Sequence, residues 1–313
     1  MAGDENMKCA YCGREARGTK EHIISSVILD LFPECYLTFD EKRGVIHQGD
    51  PMIKDVCADC NNNKISYIDS YAKNFIGRYF VKNYGEDEQV KIEYDYTMIQ
   101  KVLLKYAFND LRSRRDDILY FDEELLQYLM NESDRVPKEY ISVLAGLAVN
   151  VSPAPDFMFG NLKLRWCKNP VFYENSTIRH INYETGQVFL NDECKVQTFK
   201  DLEFSYAFRF NSVQFLLMCW KKDSENIDTE NIILKCQYPY TLFSKEENVA
   251  TLSLCTDESN YHRFEQIHVS WDGLFEVGRM RKLATPDSAK KYLQQLQEAW
   301  KEEEKRLKEE HPR

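Results

Sequence analysis

No apolar run in this 313-residue chain reaches the roughly eighteen residues that a membrane-spanning helix needs. A membrane partner is therefore not expected. The first residues, MAGDENMK, are polar and acidic, which is not the pattern of a secretory signal, so a cytoplasmic chain is expected. Without export, the ten cysteines read as reduced thiols rather than a disulfide framework. Internal repeats and low-complexity linkers are also missing. So is an excess of positive charge. The formal net charge of −10 argues against a strong non-specific nucleic-acid binder, because phosphate neutralisation supplies most of that affinity. It does not exclude a nuclease, since a local basic surface and bound cations can override the global sign.

What is present suits a folded chain, 43% hydrophobic and 29% charged, long enough for two domains. The patterning predicts an α+β protein in four parts. Residues 1–80 form a zinc-stabilised unit, 81–152 a helical segment, 153–284 a β-rich α+β domain, and 285–313 a charged helix. In the first part Lys20 to Ser25 and Met52 to Val56 read as short strands, and residues 26–50 as irregular. A helix should begin near Cys57 or Cys60 and run towards Phe80. Its stripe is Ile65, Ile68, Tyr71, Ala72, Phe75 and Ile76. In TMIQKVLLKYAFNDLRSR the apolar residues Ile99, Val102, Leu103, Tyr106, Ala107 and Leu111 mark the buried face of another. The cluster Arg112, Arg114, Arg115 ends it, where the helix dipole favours cations. FDEELLQYLMNES reads as a helix capped by Asp122, and PKEYISVLAGLAV as either a helix or a strand.

Beyond residue 155 the period becomes two. Phe204, Tyr206, Phe208 and Phe210 alternate with Ser205, Ala207 and Arg209, and their rings read as core. NYETGQVFL and HVSWDGLFEV read as hairpins about Thr185-Gly186 and Asp272-Gly273. The expectation is a mostly antiparallel sheet with one helix near Ser212–Trp220. In the tail, Thr285, Pro286 and Asp287 start a helix that ends in KEEEKRLKEE.

The chemistry concentrates near the start. Two CxxC pairs, Cys9/Cys12 and Cys57/Cys60, can hold zinc tetrahedrally. Gly13 suits the tight turn after Cys12 by adopting positive φ. Cys57 and Cys60 would bind from a helix start, whose dipole favours thiolates. Such a treble-clef-like staple helps a small unit with few core residues. The other six cysteines, Cys35, Cys167, Cys194, Cys219, Cys236 and Cys255, read as ordinary thiols. Glu21 and His22 are neighbours on a strand, so they face opposite ways and cannot both be core or both be solvent. Asn61 follows the last cysteine, where its amide can reach back to that strand. His47 reads as solvated.

The stretches CAYCGREARGTKEHIIS and VCADCNNNKIS resemble the HNH endonuclease family, of ββα-metal fold, over about the first quarter of the chain. The resemblance implies Glu21 and Asn61 as ligands of a magnesium or manganese ion, and His22 as general base. It implies Lys64 as a basic residue that meets a phosphate, and a structural zinc that takes no part. It also implies cleavage of double-stranded DNA to 5′-phosphate and 3′-hydroxyl ends. Glu21 stands where aspartate is commoner. No asparagine lies between His22 and Cys57, so Asp50 or a main-chain group is expected to brace the histidine segment. With a large appended domain, an antiviral defence effector is expected, with a homodimer or protein partner through the C-terminal region. The alternatives are a catalytically inactive zinc-binding recognition module, or an RNA-directed or nicking version of the chemistry.

Overall fold

The computed structural model describes residues 6–33, 37–40, 45–48, 52–85, 87–133, 140–148, 163–172, 178–182, 187–190, 196–255, 267–268 and 298. It is a mixed α+β chain. The first unit opens with two short strands, β1 (Met7–Lys8) and β2 (Glu15–Ala16), which pair around the first CxxC. Then come β3 (Gly18–His22), the short helix α1 (Ser26–Leu29), the antiparallel pair β4 (Leu37–Asp40) and β5 (Val45–Gln48), and β6 (Met52–Cys57). Residues 26–50 are thus not irregular throughout, as their turn-like composition suggests. The first strand also lies earlier than predicted. Gly18, not Ile23, sits in the ladder, because the main chain of Lys54 passes where only glycine fits; an added Cβ would meet the Lys54 oxygen at 2.8 Å.

β3 and β6 are antiparallel, from Gly18↔Cys57 to His22↔Met52. Helix α2 (Ser66–Tyr79) follows, entered through a single π turn at Cys60–Lys64. The predicted stripe of α2 is buried, with Ile65, Ile68, Ala72 and Ile76 each at most 1% exposed. The β3–β6 ladder and α2 thus lie next to the four cysteines, with α1, β4 and β5 inserted between the two strands.

The remainder is built on a five-stranded sheet. After β7 (Val90–Glu93) come α3 (Tyr96–Arg114), α4 (Glu123–Leu129) and β8 (Ile141–Leu147). Asp122 caps α4 as expected, accepting from the Leu125 N–H at 3.0 Å. PKEYISVLAGLAV resolves as the strand β8. Then follow β9 (Leu164–Lys168), β10 (Val171–Phe172), the paired β11 (Ile178–Asn182) and β12 (Gln187–Leu190), β13 (Leu202–Phe210) and β14 (Val213–Trp220). Helix α5 (Ile227–Gln237), β15 (Thr241–Leu242), β16 (Val249–Leu252) and β17 (Ile267–His268) complete the order.

The sheet runs β15-β8-β14-β13-β9 and is antiparallel throughout. Residues 213–220 are its central strand rather than the expected helix. All eight are buried because both faces of the sheet are covered, so no alternation survives to mark the period. The helix lies later, at α5. One face presents Tyr206, Phe208 and Phe210 to Tyr106 of α3, with ring centroids 6.3–6.5 Å apart for Phe210 and Phe208. The other face, with Ala207, Leu216, Met218 and Trp220, packs with Leu234 of α5. The alternating rings are core, as read, each worth about 1.5–3 kcal/mol of apolar burial.

Strand β7 pairs with β16, far along the chain, and β8 belongs to the sheet. The segment 81–152 is thus not wholly helical. The hairpin expected about Thr185-Gly186 has its two strands paired, while its turn, the hairpin about Asp272-Gly273 and the tail helix lie outside the described residues. No helix among the described residues is long and apolar enough to cross a membrane.

Candidate metal centre and the adjoining histidine segment

The four cysteines come together. The ligand atoms of Cys9, Cys12, Cys57 and Cys60 all lie within 4.8 Å of one another. Cys12 Sγ and Cys57 Sγ are 3.8 Å apart. A tetrahedral zinc with bonds of about 2.3 Å requires sulfur separations of about 3.8 Å, so the cluster has the size of a zinc site. The donors fit zinc in kind as well as in number.

The local chain explains the convergence. Gly13 takes φ +68°, as its position predicts, and its N–H returns to the Cys9 carbonyl at 2.9 Å. The Cys57 N–H donates to Cys9 Sγ at 3.3 Å, tying the second knuckle to the first. Arg14 spans both, with Nε on Cys12 Sγ at 3.4 Å and Nη2 on Asp59 at 2.6 Å. Burial opposes ionisation of Cys12, but the Arg14 guanidinium and main chain outweigh it and bring the thiol down to about 6. Of the remaining cysteines that are described, Cys167, Cys219 and Cys255 are buried and Cys236 is exposed.

Asn61 reaches back to β3, as its position suggests. Its Nδ2 donates to the Lys20 carbonyl and to Thr19 Oγ1, each at 3.0 Å. The ladder is irregular there: β3 advances from Thr19 to Glu21 while β6 advances from Val56 to Ile53, one residue more. That bulge and the π turn carrying Asn61 face each other, and both kinds of irregularity recur at functional sites.

Glu21 and His22 face opposite ways. His22 is half-buried at the end of β3 and Lys20, two residues earlier, is exposed, whereas Glu21 is 3% exposed. The Glu21 carboxylate points into α3. Its Oε2 is 3.1 Å from Arg112 Nη2, and its Oε1 lies 3.2 Å from Asn109 Nδ2 and 3.6 Å from Lys105 Nζ. Both cations are themselves buried. Lys105 also meets both oxygens of Asp69 at 2.7 Å, and Arg112 meets Asp55. Burial draws the Arg112 guanidinium down, but Tyr11, Glu21 and Asp55 outweigh it, so it stays charged.

This arrangement does not fit a magnesium or manganese ion on Glu21. Each carboxylate oxygen already serves a buried cation, and a divalent ion would have to enter beside two positive charges. Among the described residues, the four cysteines are the only group of three or more such side chains whose ligand atoms converge. Lys64 is likewise engaged, with Nζ on Glu132 Oε1 at 2.5 Å. His47 lies on β5, and Asp50 lies outside the described residues.

Sequence reasoning missed Lys105 and Asn109, and read Arg112 only as a helix-end cation. Their spacing of four and three places them on one face of α3, and such a polar stripe normally marks solvent. Asn109 is 0% exposed. Its Nδ2 also donates to the His22 carbonyl at 3.0 Å and the Ile23 carbonyl at 3.3 Å. Comparison with models of known families, with characterised proteins and with solved structures gives no match for this chain. The function is therefore argued from these residues alone.

Proposed function

We propose that residues 1–80 form a nucleic-acid hydrolase unit of HNH type, cutting DNA phosphodiesters to 5′-phosphate and 3′-hydroxyl ends. The observation that carries this reading is the bond from the helix start to the strand that ends at His22. A strand ends on a half-buried imidazole, and Asn61 of the entering helix is bonded to that same strand two residues earlier. His22 would take the proton from the attacking water, the P–O3′ bond would break as the new P–O bond forms, the 3′-oxygen would leave with a proton from solvent, and exposed Lys20, two residues earlier in the chain, would meet a phosphate. The zinc site beneath holds strand and helix together and stays out of the chemistry. Charge distribution permits a polyanionic substrate. Residues 1–80 hold ten Lys and Arg against twelve Asp and Glu, so most of the −10 lies elsewhere.

No step is routed through a divalent ion on Glu21, because its carboxylate already serves two buried cations. That same observation favours a second reading, a zinc-binding module without catalysis. One assay separates the two. Zinc-loaded protein is incubated with plasmid, single-stranded DNA and RNA, with magnesium, with manganese and with neither, beside His22→Ala. Cleavage by the wild type that is lost in a folded His22→Ala variant supports the hydrolase. Cleavage unchanged in that variant removes His22 from the mechanism. No cleavage under any condition leaves the binding module.

A further inference from the structure

We infer that Asn109 is the positioning residue for His22, supplied by α3 from outside the zinc unit. The role of His22 rests on the hydrolase reading; the positioning itself does not.

The β3–β6 ladder stops at His22↔Met52. Past that point the ladder no longer serves the chain, which turns into α1. The carbonyls of His22 and Ile23 both accept from Asn109 Nδ2, at 3.0 and 3.3 Å, and Glu21 Oε1 accepts at 3.2 Å. The two hydrogens of one amide nitrogen therefore serve three consecutive residues around the imidazole, with one hydrogen shared between two acceptors. On the other side, Asn109 Oδ1 accepts from Tyr11 Oη at 3.2 Å and from Arg112 Nη2 at 2.5 Å. The Tyr11 hydroxyl is the donor in that bond. The nitrogen faces only acceptors and the oxygen only donors, so the amide has one orientation.

Its own helix is fixed in turn. The neighbouring Asp110, 3% exposed at its side chain, accepts from Trp166 Nε1 at 2.9 Å on β9 and Tyr206 Oη at 3.0 Å on β13. An amide anchored on a packed helix fixes the backbone of His22 at its carbonyl. Loss of such placement costs reactions on the order of 10²-fold.

The test compares Asn109→Asp and Asn109→Ser with the wild type, each zinc-loaded. The first keeps shape but presents acceptors to acceptors. The second is neutral and too short to span to β3, so it answers if charge repulsion prevents the first from folding. The primary readout is the His22 imidazole 1H–13C signal, identified by its loss in His22→Ala. A shifted or broadened signal in a folded variant supports the inference. A His22 signal at the wild-type position in either folded variant overturns it. Where the wild type cleaves DNA, kcat should fall on the order of 10²-fold with KM unchanged. A rise in KM with kcat intact would overturn positioning. Failure of the hydrolase reading shows separately, as absence of His22-dependent cleavage, and leaves the spectroscopic test standing.

Discussion

Replacing Glu21 with glutamine distinguishes a structural carboxylate from a metal ligand. Glu21 is 3% exposed and is flanked by Lys105 and Arg112, whose side chains are 2% and 4% exposed. Removing one member of a buried ion group typically costs about 3–5 kcal/mol, because the partners stay desolvated without their counter-charge. Here the loss belongs at the low end, about 3 kcal/mol. Lys105 keeps Asp69 and Arg112 keeps Asp55, so neither cation is abandoned. A glutamine also turns an N–H towards one of the donors, which prevents full recovery of the hydrogen bonds. At about 2–4 °C per kcal/mol for a domain of 150–250 residues, the midpoint should drop by about 6–12 °C. The assay is thermal unfolding of zinc-loaded protein followed by near-ultraviolet circular dichroism, with exposed Glu15→Gln as control. A solvent-facing metal ligand behaves differently. Its amide variant would leave stability unchanged or raise it, and would lose only activity. A midpoint within about 1 °C of the wild type, beside a lost magnesium or manganese response, would falsify the structural role.

Other perturbations test the rest of the frame. Cys57→Ser should release zinc and unfold the first unit, read by metal content and by hydrogen exchange over residues 6–80, whereas exposed Cys236→Ser should change neither. Gly13→Ala forces a Cβ into φ +68°, at a cost of about 1–2 kcal/mol, so zinc affinity in a chelator competition should fall about tenfold. Asp122→Asn keeps the cap oxygen of α4 but not the charge. Partial burial opposes ionisation of Asp122, yet Lys222 and the Leu125 and Glu124 main chain outweigh it and hold the carboxyl below its usual range. A depressed folded value gives stability that is present above the unfolded value, about 3.9, and lost as pH falls through the folded one. Urea unfolding should therefore find the wild type ahead by about 0.5–1 kcal/mol at pH 6, with the gap closing below about pH 4. A constant gap would place the stabilisation in shape rather than charge.

How far these features were legible depended on whether contacts are local. The four-cysteine site was readable because CxxC spacing encodes the knuckle itself, and Gly13 and Asn61 act within a turn of their cysteines. Helix α3 was readable from its apolar stripe, and β13 from its alternation. Strand β14 was not, since covering both faces of a sheet erases the alternation. The partnership of Glu21 with α3 was not legible either. Carboxylate and guanidinium lie 91 residues apart, and nothing in the EHI triplet or in KYAFNDLR says that one is buried against the other. A polar stripe reads as solvated until a second element is known to cover it.

The four-cysteine site alone would not place His22 well. The ladder is anchored at Gly18↔Cys57, beside the thiolates, and His22 lies four residues along β3, about 13 Å away at about 3.3 Å per residue. A bulge intervenes, and at a bulge a strand bends. Placement set at the zinc end therefore degrades towards the imidazole. Asn61 corrects it at Lys20, and Asn109 corrects it at His22 and Ile23. The second correction comes from a helix whose next residue, Asp110, is fastened to the sheet. The zinc unit and the sheet thus meet at consecutive residues of α3. A function that depends on His22 cannot then be a property of residues 1–80 alone, because part of its placement comes from α3.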